Sequence, residues 1–67
     1  MSYDSQEELP DQVKNNLPEH AREIYKESFN SASKQYDQEK TAHKVAWNAV
    51  KEKYEKNEND NWVKKDN

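Results

Sequence analysis

Residues 21–36 read AREIYKESFNSASKQY, and the spacing of the apolar side chains in this stretch decides the fold. Apolar residues recur every three or four positions, which places them on one face of an α-helix. They are Ala21, Ile24, Tyr25, Phe29, Ala32 and Tyr36. Charged and amide side chains fill most of the other positions. The stretch therefore predicts an amphipathic helix that buries one face.

The same period returns in residues 41–54, TAHKVAWNAVKEKY, and predicts a second long helix. We expect Thr41 to be its N-cap, with Asp37 as an alternative start. Before the first long helix, the pairs Leu9-Pro10 and Leu17-Pro18 mark two helix entries. Proline biases the residue before it away from the helical conformation and suits the first turn of a helix. A short helix is therefore expected between the two pairs.

Length and composition exclude several classes of protein. A chain of 67 residues makes one domain, which we expect to span residues 1–67 with its ordered part at about 3–65. Because glycine and cysteine are both absent, Gly-rich phosphate loops, disulfides and thiolate zinc sites are excluded. The longest apolar run, Val45-Ala46-Trp47, is too short to cross a membrane. Residues 1–4 lack the features of a signal peptide, so we expect a cytoplasmic protein without membrane insertion.

The C-terminal residues predict a turn and a strand. Asparagines in residues 57–61 take the place that glycine often has in a turn, and Trp62-Val63 is a β-prone pair. If Tyr3 lies in an extended segment, the two chain ends can pair. The expected fold is mostly α: a compact three-helix domain with a small two-stranded β ribbon formed by the chain ends. The predicted structural core is Leu9, Val13, Leu17, Ile24, Tyr25, Phe29, Tyr36, Val45, Ala46, Trp47, Val50 and Tyr54.

No combination of residues indicates catalysis. His20 and Glu23 have a spacing found in helical metal sites, and His43 is a second candidate ligand. Hydrogen bonds that orient helix ends are the stronger interpretation of both histidines. Carboxylates are so numerous that accidental pairs are inevitable, and no serine lies in an activating motif. We expect a protein that is not an enzyme and has no cofactor and no metal.

Charge is distributed unevenly along the chain. Residues 1–33 contain seven acids and three bases, whereas residues 34–67 contain seven acids and eight bases. Trp62, Lys64, Lys65 and Lys51 form the candidate interaction surface, because a domain this small cannot easily hide both tryptophans. Lysines beside an aromatic ring suit a protein partner or a nucleic acid. Interleaved acids and a pI near 5.3 make nucleic acid the second choice.

Several strings of residues closely resemble the ChaB family over nearly the whole chain. They are Leu9-Pro10-Asp11-Gln12-Val13, Leu17-Pro18-Glu19-His20-Ala21, Ile24-Tyr25, Phe29-Asn30-Ser31-Ala32 and Thr41-Ala42-His43-Lys44-Val45-Ala46-Trp47-Asn48-Ala49-Val50-Lys51, with Trp62 beyond. The resemblance implies three helices with a small sheet. It also implies a bacterial or viral regulatory protein whose partner is a membrane cation/proton antiporter or the regulator of one, and viral relatives keep nucleic acid as the alternative. It supplies no catalytic residues.

The sequence departs from the family pattern at three places. The connector after Tyr36 is shorter than in relatives that carry a charged insertion. The turn before Trp62 has asparagine and acids where relatives often have glycine, and Ser33 stands where an aromatic residue is frequent. These differences do not threaten the fold, but they put in doubt any partner contact that depends on the insertion.

Overall fold

Two long helices and a short hairpin make up most of the molecule. The structure is a computed structural model and describes residues 3–59 and 61–65. Its elements in chain order are a single 3-10 turn (Gln6–Glu8), α1 (Asp11–Asn16), α2 (Glu19–Gln35), α3 (Glu39–Lys53), β1 (Tyr54–Lys56) and β2 (Trp62–Lys64). The radius of gyration of 11.6 Å is close to the value of about 11 Å expected for a folded chain of this length. The predicted three-helix domain with a two-stranded ribbon is thus confirmed.

The two Leu-Pro pairs end one helix and begin the next. Pro10 and Pro18 directly precede α1 and α2, with φ angles of −56° and −67° that lead into the helical conformation. Leu9 and Leu17 are extended, as expected for residues before proline, and each donates its N–H to the last turn of the preceding helix. Both leucine side chains are buried. Each pair therefore turns the chain and anchors that turn in the core.

Helix α3 begins earlier than the sequence indicates. It starts at Glu39 after Gln38, so the prediction of Thr41 as the N-cap is wrong, as is the alternative start at Asp37. The earlier start lets the Ala42 N–H donate to the Gln38 carbonyl oxygen at 3.2 Å. It also places the Glu39 carboxylate in the first turn, where the helix dipole favours negative charge.

The core lies between α2 and α3 and is closed by α1 and the hairpin. The buried side chains are Leu9, Val13, Leu17, Ala21, Tyr25, Phe29, Ala32, Ala42, Ala46, Val50 and Tyr54. Tyr25 and Phe29 are the largest that are fully enclosed. Small residues at Ala42 and Ala46 leave room for these rings between the helices. Ile24 and Trp47, both predicted to lie in the core, are only partly buried and pack against its edge.

Two of the predicted core residues lie at the surface instead. Tyr36 is 45% exposed and Val45 is 37% exposed. Tyr36 is the first residue after α2 and is extended, so its side chain leaves the buried stripe of that helix. The buried stripe of α3 follows the four-residue spacing of Ala42, Ala46 and Val50, and Val45 projects to one side of it.

The ribbon is a local hairpin, which corrects the predicted pairing of the chain ends. Strands β1 and β2 are antiparallel, with Tyr54 opposite Lys64 and Lys56 opposite Trp62. The short loop between the strands closes at a lower entropic cost than pairing between distant ends. The segment at Tyr3 docks on α2 instead: its backbone N–H and carbonyl each bond to the Asn30 carboxamide at 2.8 Å.

Asn57 organises the turn between the strands without glycine. Its side-chain Oδ1 accepts the backbone N–H of Asn59 at 2.9 Å and that of Asn61 at 3.0 Å. Its own N–H donates to the Asn61 carbonyl oxygen at 2.9 Å. The predicted turn also contained Asp60, which lies outside the described residues. In the part described, a side-chain amide holds the two ends of the turn together.

The two valines of α3 provide a matched test of this core. Val50→Ala removes two methyl groups from a fully buried site, so the free energy of unfolding should fall by about 2 kcal/mol. Val45→Ala makes the same chemical change on the same helix at an exposed site and should change it by no more than about 0.5 kcal/mol. Urea unfolding followed by circular dichroism measures both. Equal losses in the two variants would contradict this assignment of the buried face.

The turn gives a second prediction. Asn57→Ala removes the acceptor of two backbone N–H groups, which should lower the free energy of unfolding by about 1 kcal/mol. Asn57→Asp keeps a side-chain oxygen and should retain most of that stability. Asn59→Ala is the control, because Asn59 contributes a backbone N–H that alanine also has. If both alanine variants unfold at the same urea concentration, Asn57 has no special role.

Candidate interaction surface

The last turn of α3 and the hairpin enclose a shallow, open cleft. Its volume is about 450 Å³, and it is lined by Lys51, Tyr54, Glu55, Lys56, Trp62 and Lys65. Three residues of the predicted interaction surface therefore meet here: Lys51, Trp62 and Lys65. The fourth, Lys64, lines an adjoining recess together with Glu52, Lys53 and Lys65. Residues from separate parts of the chain meet because β2 folds back alongside β1, which directly follows α3.

Trp62 is held in place by the core and only partly covered. Its ring lies 5.6 Å from the ring of Trp47, centroid to centroid, and the two planes are tilted by 33°. Trp47 in turn meets Tyr25 edge to face at 5.2 Å. The Lys56 ammonium lies 5.8 Å from the centroid of Trp62, within reach of a cation–π interaction. The cleft thus has one rigid apolar wall connected to the core.

Lysines are the most frequent residues around this wall. Lys51 and Lys53 lie in the last turn of α3, where the helix dipole favours positive charge, so part of their role is structural. Lys56, Lys64 and Lys65 follow on the hairpin, beyond the helix. The acids on the lining are Glu52 and Glu55. Lysines therefore outnumber acids on the lining, although the chain has a formal net charge of −3 and Glu58 lies in the turn of the same hairpin.

A set of polar contacts that the sequence does not reveal lies on the other side of Trp47. The Tyr25 hydroxyl bonds to Nδ1 of His43, whose Nε2 is 3.5 Å from a carboxylate oxygen of Glu39. Burial raises the pKa of Tyr25 to about 12, and the nearby Tyr3 and Glu39 add to the shift. The four-residue spacing of Glu39 and His43 is visible in the sequence. The partner on α2 is not, because it depends on how the helices pack.

His20, the other histidine considered as a metal ligand, has different neighbours. It is exposed, lies in a recess with Gln6, Glu19 and Glu23, and meets the ring of Tyr54 edge to face at 6.2 Å. His43 instead contacts Tyr25 and Phe29. Across residues 3–59 and 61–65, no three histidine or acidic side chains are placed to hold a metal ion.

The fold is a small helical domain whose hairpin end carries an open cleft lined by aromatic and charged side chains. A model of the ChaB family matches residues 9–65. The chain belongs to the ChaB family, which confirms the resemblance seen in the sequence.

The similar proteins cover almost the whole chain. "Putative cation transport regulator ChaB" of Escherichia coli K12 is 49% identical over 75 residues, which span 97% of this chain and 99% of that protein. The protein of the same name from Shigella flexneri matches equally well. A solution NMR structure of the putative cation transport regulator ChaB has a TM-score of 0.86 and 49% identity, covering 96% of this chain and 99% of the other. Because the 75 matched positions outnumber the 67 residues of this chain, the relative has extra residues inside the match.

Among the residues that the structure describes, none of the helices is both long enough and apolar enough to span a membrane.

The raised pKa of Tyr25 predicts how stability depends on pH. The unfolded chain loses this proton near pH 10 and the folded chain near pH 12, so the free energy of unfolding should fall between these values. In this interval, ionisation of Tyr25 should lower the free energy of unfolding by about 1.4 kcal/mol for each pH unit. Tyr25→Phe has no phenol to ionise and should show a correspondingly shallower decline. Urea unfolding at a series of alkaline pH values tests this, and equal slopes for the two proteins would show that Tyr25 is not responsible.

Proposed function

We propose that this chain is a non-enzymatic regulator of cation transport that acts by binding a protein partner at the hairpin cleft. The observation that carries the proposal is the meeting of Trp62, Lys51 and Lys65 around one cleft. A partly covered tryptophan on a rigid support, surrounded by charged side chains, has the composition of a protein-binding hot spot. The names of the relatives supply the process that is regulated.

The proposal extends to the partner and to the place where they meet. The partner is a membrane cation/proton antiporter or a protein that regulates one. This chain meets it from the cytoplasm without inserting into the membrane. A single folded domain that spans residues 1–67 presents the cleft.

The Tyr25–His43–Glu39 set has a structural role in this proposal. Tyr25 is 1% exposed, so its ring is enclosed, although it lines a recess together with His43 and Trp47. Its pKa, raised by burial, lies even further from neutral pH than that of an ordinary phenol, so the hydroxyl is poorly suited to act as a general base. Both features favour a structural role, in which the hydrogen bond between Tyr25 and His43 fixes α3 against α2.

Nucleic acid is the second candidate, because the same lysines surround an aromatic ring on which a base can stack. Two features weaken it. Glu55 lines the cleft and Glu52 lines the adjoining recess, where both repel phosphates. The chain as a whole also carries a formal charge of −3, which disfavours long-range attraction of a polyanion.

Affinity capture after crosslinking in the native cell tests the proposal. The wild-type chain should recover an antiporter or a regulator of one. Trp62→Ala combined with Lys65→Gln should lose most of that recovery, because the apolar wall and one flanking charge are removed. Lys44→Gln changes an exposed lysine on α3 outside the cleft and should recover as much as wild type.

The identity of the captured material distinguishes the two candidates. Circular dichroism must first show that the Trp62 variant is folded, since its ring also packs against Trp47. Recovery of nucleic acid with its associated proteins, and of no transport protein, would overturn the proposal in favour of the second candidate. Undiminished recovery by the folded cleft variant would place the contact elsewhere on the surface.

A further inference from the structure

We propose that the cleft recognises an acidic chain segment that carries one large apolar side chain between its carboxylates. This inference rests on the proposed function and specifies the chemistry of the partner. The apolar side chain lies against Trp62 and Tyr54, and the flanking carboxylates pair with Lys51, Lys56 and Lys65.

Local charge selects an acidic partner. Among the described residues, the cleft and its adjoining recess are lined by five lysines and two glutamates. The five are Lys51, Lys53, Lys56, Lys64 and Lys65. Four of them are exposed and Lys65 is half-buried. The Lys56 ammonium lies 5.8 Å from the centroid of the Trp62 ring, so a carboxylate that pairs with it is held beside the apolar wall. An exposed ion pair changes affinity by only roughly 1.5- to 5-fold, so several pairs must act together.

The apolar wall formed by Trp62 and Tyr54 favours a partner that carries an apolar side chain as well as negative charge. Trp62 is half-buried and rests against Trp47, so its ring does not have to become ordered when a partner binds. Tyr54 is buried beside it and closes the cleft from the core side. A volume of about 450 Å³ lies within the range of side-chain and ligand pockets, roughly 300–1,000 Å³. The cleft is therefore large enough for one aromatic or large aliphatic side chain.

Glu55 favours a short peptide segment over a nucleic acid. It lies on the lining among the lysines, so a continuous chain of phosphates would have to pass a carboxylate. A peptide can place an apolar or neutral group at that point and its acids elsewhere. Glu55 also makes the proposal testable through a gain of binding, which a misfolded variant cannot imitate.

Titration of the full chain with four probes tests the inference by NMR, following backbone amides and the indole N–H of Trp62. The first probe is acetyl-Glu-Glu-Phe-Glu-Glu-amide. The second has alanine in place of phenylalanine, the third has glutamine in place of each glutamate, and the fourth is a ten-nucleotide oligothymidylate. The first should bind at least fivefold more tightly than the other three and should shift the indole signal of Trp62.

Paired variants then assign the binding to the cleft. Lys51→Gln should weaken binding of the first peptide about threefold, whereas Lys44→Gln should leave it unchanged. Glu55→Gln removes a repulsive carboxylate and should strengthen it about threefold, whereas Glu27→Gln on α2 should have no effect.

Several results would overturn the inference. Equal binding of the phenylalanine and alanine peptides would show that charge alone acts, and equal or tighter binding of the oligonucleotide would point to nucleic acid. If no peptide binds although the native chain captures a transport protein, this inference fails and the proposed function stands. If the first peptide binds as expected but native capture recovers no transport protein, the cleft chemistry stands and the proposed function fails.

Discussion

A continuous series of aromatic contacts supports the rest of the structure. The series runs from Tyr3 through Phe29 to His43, then through Tyr25 and Trp47 to Trp62, with ring centroids between 4.6 and 5.9 Å apart. Such contacts stabilise by burying large areas and through favourable ring geometry. Leucine, isoleucine and valine together number seven in this chain. With so few of these side chains, the aromatic rings must supply much of the buried surface.

The same aromatic contacts connect the core directly to the candidate site. The ring of Trp62 rests on Trp47, and Trp47 rests on Tyr25, which is fully enclosed between α2 and α3. The hairpin has only three residues in each strand, and a two-stranded sheet of that size is not stable alone. Its position therefore depends on the packing of Trp62 and Tyr54 against the helices. Any change that loosens the core near Tyr25 should also disturb the cleft.

The sequence predicts those features that depend on neighbouring residues. Helical spacing locates α2 and α3, and the Leu-Pro pairs locate the boundaries of α1, because both signals act within one turn. Spacing is less informative where two adjacent positions compete for the buried face: Val45 is the larger side chain, yet Ala46 is the one that is buried, on the same stripe as Ala42 and Val50. The strand pairing was mispredicted for a related reason, since a β-prone pair does not identify its partner.

The residues of the candidate site also fall into those that the sequence predicts and those that depend on the three-dimensional packing. Trp62 and the lysines were predicted from composition, and the hairpin brings most of them together. The contribution of Tyr54, Glu55 and Lys56 to the lining depends on the strand register, which the sequence does not specify. The bond between Tyr25 and His43 likewise needs the packing of two helices.

The central claim is that the partner binds at the hairpin end of the molecule. Site-specific photocrosslinking in the native cell tests it most directly, with the photoreactive residue placed in turn at Lys64 and at Lys40. Both side chains are exposed, but only Lys64 lies beside the cleft. Our account predicts a protein adduct from position 64 and none from position 40. An adduct from position 40 alone would contradict it.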